Sequence, residues 1–182
     1  MKKILTRVLM AALAVGIVGC GASNPKESSM TVDPKTAIKI QKLIPFAKGV
    51  PIAANIINEC KLDEQLSEFI RAYAVGEGIG VIRTPSVTQK SAGKALVVEI
   101  INAVSAGNAF IGHRKYTSIR GTLYNNSIKE ASFTAARMSG GGVFAGFKGS
   151  CSVLGRTVKV LGSDISVWLK SPSDGAHLGD HV

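Results

Sequence analysis

Between Tyr116 and Met138 the chain alternates. Thr117, Ile119, Gly121 and Leu123 keep step against Ser118, Arg120 and Thr122. After a turn at Asn125-Asn126-Ser127 the alternation resumes, with Ala131, Phe133 and Ala135 against Glu130, Ser132 and Thr134. A period of two sends successive side chains to opposite faces, so this stretch predicts a hairpin of two antiparallel strands with one apolar face. Upstream, Lys94 to Val104 (KALVVEIINAV) is apolar almost throughout, which predicts a central strand covered on both sides. Val50 to Ile57 (VPIAANII) predicts a further short strand and Ile79 to Arg83 another. The mixed run from Ala37 to Phe46, interrupted by Lys39 and Lys42, fits either a short helix or an extended lead-in.

Two segments change the period. In NECKLDEQLSEFIRAYA, Leu62, Leu66, Phe69, Ile70 and Tyr73 recur at helical spacing, with Asp63, Glu64, Gln65 and Glu68 on the other side. This predicts a helix of about three turns, with acids in its first turn and Arg71 near its end, as the helix dipole favours. Further on, Phe144, Phe147, Cys151, Leu154, Val158, Leu161, Ile165 and Trp168 are spaced 3, 4, 3, 4, 3, 4, 3. That stripe predicts a long helix from about Val143 to Leu169, stopped by Ser171-Pro172. The pattern as a whole predicts an α+β fold: a mixed, largely antiparallel sheet with two helices packed on one face, the longer one C-terminal.

The glycines of 140-GGGVFAGFKGS-150 invite a phosphate-loop reading, which the spacing rejects. A Walker loop needs G-x-x-x-x-G-K-[ST]. Here Phe147 separates Gly146 from Lys148, and Gly149 separates Lys148 from Ser150. The dinucleotide fingerprint lacks its βαβ setting, because a hairpin precedes it. Gly140 to Gly142 are read as a sharp strand-to-helix turn, and Gly146, Gly149, Gly155 and Gly162 as close-packing positions along the helix. No cofactor is expected.

The first residues are a separate unit. Lys2, Lys3 and Arg7 precede an uncharged run of twelve residues, Val8 to Gly19. A membrane-spanning helix needs about 20, so the run reads as a secretion signal. It ends in Ile17-Val18-Gly19-Cys20, which resembles a bacterial lipoprotein box with isoleucine in the usual leucine position. The resemblance implies that Cys20 becomes the first mature residue and carries a diacylglycerol thioether. Gly21, in a place where aspartate would retain a lipoprotein, resembles an outer-membrane address. Acyl chains contribute ~0.8 kcal/mol per buried CH₂, and several would hold the chain on the membrane firmly. The expected layout is a signal peptide at 1–19, a lipidated tether at 20–34, one α+β domain at 35–172 and a polar tail at 173–182.

Composition refines this picture. With Cys20 lipidated, Cys60 and Cys151 remain, and two thiols in an oxidising periplasm point to one disulfide, a buried free pair being the alternative. The formal charge of +10 falls to +7 once the three basic residues of the signal are removed. That balance suits anionic lipid or glycolipid surfaces, or serves solubility alone; nucleic acid is not an expected partner in that compartment.

Residues for catalysis are not arranged in a recognisable way. His177 and His181 lie in the tail AHLGDHV, where with Asp180 they resemble a weak surface metal set, and no metal site is assigned. His113 sits beside Arg114 and Lys115, and both cysteines have structural positions. Glu99 interrupts an apolar strand, which an edge or loop-facing place explains. The cluster with most chemical promise is His113, Arg114, Lys115 and Arg120, with Arg137 on the partner strand, as an anion-binding patch for phosphate-bearing headgroups; a solvated strand end is the plainer reading.

The segments NECKLDEQLSEFI, GHRKYTSIRGTL, SFTAARMSGGGVFAGFKGSCSVLGR and DISVWLKSP resemble a group of small, mostly uncharacterised Gram-negative lipoproteins over roughly residues 50 to 172. The architecture is also similar to the amino-terminal domain of TolB and to the curli secretion lipoprotein. These resemblances imply helices on one face of a mixed sheet and a role in envelope assembly or transport, and assign no functional residue. The expectation is a non-catalytic, outer-membrane-anchored periplasmic lipoprotein that binds another envelope component. The alternatives are an accessory, oligomerising subunit of a secretion or lipid-transport assembly, and an envelope hydrolase. The oligomeric state is left open.

Overall fold

A computed structural model of the chain describes residues 32–106, 114–139 and 149–180, with the backbone alone at Arg114. The signal, Cys20, most of the tether, His113, the turn at Gly140 to Gly142, Phe144, Phe147 and His181 lie outside the described residues.

The elements run β1 (Ile38–Gln41), α1 (Ala54–Glu59), α2 (Leu62–Gly76), β2 (Val81–Thr84), β3 (Lys94–Ala106), β4 (Arg114–Asn125), β5 (Ile128–Ser139), α3 (Ser150–Trp168) and β6 (Ala176–Gly179). The strands of the described residues form one sheet in the order β2-β1-β3-β4-β5-β6. The two long pairings, β3 with β4 and β4 with β5, are antiparallel; β1 with β2, β1 with β3 and β5 with β6 are parallel. This is the α+β class expected from the pattern, with the longest helix C-terminal.

The hairpin β4–β5 turns through Asn126 and Ser127, both at positive φ (48° and 71°), as a two-residue type I′ turn requires. Asn126 is tied to the start of β3: its N–H donates to the Gly93 carbonyl at 3.0 Å, and its Oδ1 accepts from Gly93 N–H at 2.8 Å. Across the hairpin Gly121 faces Phe133, whose ring fills the space a Cβ at 121 would take. The same ring meets Trp168 of α3 edge-on, centroids 4.8 Å apart.

The long helix starts at Ser150 rather than near Val143, because Gly149 is its extended N-cap; from there the α3 stripe is buried as its spacing predicts, through Leu154, Val158, Leu161, Ile165 and Trp168. Cys151 leads it and is bonded to Cys60, just before α2, so the disulfide joins the N-terminal ends of the two long helices. In α2 the buried set is Leu62, Leu66, Ser67, Ile70, Ala74 and Val75, while Phe69 and Tyr73 flank it half-exposed. Ser67 is buried because it is bonded: its hydroxyl donates to the Gln41 carbonyl at 2.6 Å and accepts from Arg83 Nε at 2.9 Å.

Three further expectations need correction. VPIAANII is not a strand: Ile52 reaches the core ahead of the extended N-cap Ala53, and from Ala54 the chain winds into α1, where Ile56 is buried and Ile57 faces outward. The polar tail is not free of the sheet: Ala176–Gly179 pairs with β5 as a sixth strand. Glu99 is not at an edge. It stands within β3, on the face away from the helices, where Arg120 reaches it at 2.6 Å.

Candidate functional site: the uncovered face of the sheet

Cross-strand partners share a face, so the register maps the side away from α2 and α3 row by row. One row is Val104, Tyr116 and Met138. The next is Asn102, Ser118, Ala136 and Gly179. A third is Glu99, Arg120, Thr134 and His177, and a fourth Val97, Thr122 and Ser132. The second row is made of small side chains between rows of larger ones. The result is a groove of about 390 Å³ crossing β4, β5 and β6, lined among others by Tyr116, Ser118, Thr134, Ala136, His177 and Gly179.

Local chemistry fixes this groove. Gly179 has φ +83°, and a Cβ there would collide with the Ala136 carbonyl oxygen, so only glycine lets β6 close against β5. His177 Nδ1 and Thr134 Oγ1 are 2.8 Å apart across that pair. Asp180 ends the strand by accepting from Met138 N–H at 2.7 Å and from Arg137 at 3.0 Å. At one rim Met138 and Val104 are exposed apolar side chains, 48% and 37% accessible. In the second row Asn102 Oδ1 is buried with no hydrogen-bond partner among the described residues.

A β-bulge sets which residues face which way. In β3 Ile100 pairs with Ile119, but Asn102 pairs with Ser118, leaving Ile101 extra. The helix-facing set therefore passes from Leu96, Val98 and Ile100 to Ala103 and Ser105.

The basic residues singled out in the sequence do not share one surface. Arg120 points to the uncovered face and is paired with Glu99. Lys115, five residues earlier, is on the helix side with Thr117 and Ile119, and is 2% exposed. Burial lowers its pKa from the usual lysine value. Arg137 is held by carboxylates, Asp164 at 2.8 Å through both Nε and Nη2 and Asp180 through Nη1. The Asp164 hydrogen bonds raise its already high pKa further. For Arg114 the backbone pairing with Ala106 is defined, and His113 lies outside the described residues. Of the tail residues, His177 and Asp180 are thus engaged in holding β6. Among the described residues no three His, Cys, Asp or Glu side chains converge as a metal set, and no helix is long and apolar enough to cross a membrane.

Comparison with known proteins adds to the fold. The chain matches no protein-family model and no curated protein. Among solved structures, a DUF330-family protein from Xanthomonas campestris aligns at a TM-score of 0.50 and 14% identity, over 76% of this chain and 89% of that one. A minor lipoprotein from Acinetobacter baumannii aligns at 0.45 and 10%, over 81% and 98%. The PelC dodecamer from Paraburkholderia phytofirmans aligns at 0.44 and 10%, over 75% and 93%. At 14% identity the first alignment speaks to fold alone.

Proposed function

We propose that this chain is a non-catalytic periplasmic lipoprotein, anchored in the outer membrane through Cys20, that holds another envelope component against the uncovered face of its sheet. The observation carrying this reading is the sidedness of the fold. Both long helices are on one face, and the other face keeps a groove with an apolar rim at Val104 and Met138. The lipoprotein box supports the anchor. The tether from residue 20 to the start of the fold supplies reach from the membrane. The component bound is an envelope protein or the headgroup region of an anionic lipid or glycolipid.

Metabolic labelling with palmitate, followed by fractionation of inner and outer membranes, tests the anchor. Label on the native chain in the outer-membrane fraction, and its loss in Cys20→Ala, is the expected result. Unlabelled native protein, released with the soluble periplasm, contradicts it. Sedimentation of the labelled protein distinguishes a monomer from the rival assembly subunit, which should run as a defined oligomer.

A further inference from the structure

Lys115 has no place in the surface just described. Its ammonium is buried, and its Nζ donates to the Ser105 hydroxyl. In register it lies between Ser105 of β3 and Ser139 of β5, both neutral. No carboxylate among the described residues pairs with it, in contrast to Arg83, Arg120, Lys129, Arg137 and Lys170. Charges at this depth are ordinarily compensated.

A second feature converges on the same place. Ser105 Oγ donates to Ser150 Oγ at 3.0 Å, and Ser150 is the first residue of the nineteen-residue helix α3. That terminus has no side-chain cap and no acidic residue in its first turn. Its first N–H groups therefore present the positive end of the helix dipole towards a buried cation, an arrangement unfavourable by itself. Ser105 accepts from lysine and donates to Ser150, which leaves two ammonium N–H groups and the Ser150 O–H without an acceptor among the described residues. Ser150 is solvent-exposed, which gives the cluster an opening.

We propose that Lys115, Ser105 and Ser150, with the first turn of α3, form a binding slot for a phosphate-class oxyanion. An anion there neutralises the lysine and the helix terminus together, and its oxygens take up the donors. The slot lies on the helix side of the sheet and owes nothing to a nucleotide-binding loop. The phosphate comes either from a small soluble anion or from a lipid headgroup.

The test uses the full-length protein in non-ionic detergent at low ionic strength, comparing the native chain with Lys115→Met and Ser150→Ala. Inorganic phosphate, with chloride at equal ionic strength as control, is titrated while thermal unfolding is followed. Co-sedimentation with phosphatidylglycerol vesicles, against phosphatidylcholine vesicles, forms the second arm. Saturable stabilisation by phosphate, at least about tenfold weaker in Lys115→Met and reduced in Ser150→Ala, supports a soluble anion. Lys115-dependent binding to phosphatidylglycerol without response to free phosphate supports a headgroup. The same responses in native protein and Lys115→Met, or none to either probe, overturn the proposal. Lys115→Met replaces a buried charge with an apolar chain of similar length, and near-native circular dichroism confirms that it folds.

Discussion

Gly162 of α3 and Phe69 of α2 touch so closely that a Cβ at 162 would stand 2.6 Å from Phe69 Cβ and 3.0 Å from the Ile70 nitrogen. The crowding atoms include the backbone of α2, which cannot swing aside. Gly162→Ala therefore gains about 1 kcal/mol of helix propensity but loses more by overpacking, about 1–3 kcal/mol. Denaturant unfolding should show net destabilisation. Gly76→Ala supplies the comparison, because that helical glycine has negative φ and nothing within 4 Å of its would-be Cβ. It should stabilise by about 0.5–1 kcal/mol.

The Cys60–Cys151 bond closes a loop with a sequence separation of 91 residues. In the chain-entropy model such a loop stabilises the folded state by about 4–5 kcal/mol, often less in practice. Adding dithiothreitol to the native protein, or replacing both cysteines with alanine, should lower the denaturation midpoint by a corresponding amount. Labelling of both thiols in unreduced protein would contradict the pairing.

Arg137 binds β5 to α3 through Asp164 and to the end of β6 through Asp180. Removing it leaves two carboxylates without their shared partner. Arg137→Ala should cost about 1–3 kcal/mol. The loss should be uneven: hydrogen exchange of the Ala176–Gly179 amides should accelerate more than that of β4, because β6 is a short edge strand.

Much of this architecture is written in local patterns. The alternation of β4 and β5 and the 3-4 spacing of α3 each name the buried face, and Asn125-Asn126-Ser127 marks the turn, while a bulge at Glu130 sets the register beyond it. What escaped depends on distant partners. AHLG is too short and polar to signal a strand, and becomes one because Gly179 fits against Ala136 and Asp180 meets Arg137. VPIAANII is an apolar run short enough to pass for a strand, and only its second half, from Ala54, is helical. The burial of Lys115 did have a signal. Continuing the Thr117, Ile119, Gly121 set back by one step places residue 115 on the core face, whereas its basic neighbours suggested a surface patch. The missing countercharge could be seen only once Ser105 and Ser139 were set beside it.

Lys115 also makes stability depend on pH. Its folded-state pKa lies below the usual lysine value of 10.5, so at pH between the two the unfolded chain binds more protons than the folded one. Stability from this group therefore rises with pH through that window, and the penalty is fully present below it. The groups that face it, Ser105, Ser139 and Ser150, do not titrate there. Without added anion, Lys115→Met should be more stable than the native chain at neutral pH, on the order of 1 kcal/mol, and should lack this rise. Unfolding midpoints measured from neutral pH to 10.5 check both statements.

The most direct test of the account places a photoreactive amino acid at Thr134, in the groove, and separately at Glu64, exposed on the helix layer, in the native lipidated protein. After irradiation in living cells, the captured species are identified by mass spectrometry. A binding surface on the uncovered face should give one reproducible envelope protein, lipid or glycolipid adduct from position 134 and none of it from position 64. Equal capture from both positions, or capture from Glu64 alone, would contradict the assignment of the uncovered face as the binding surface.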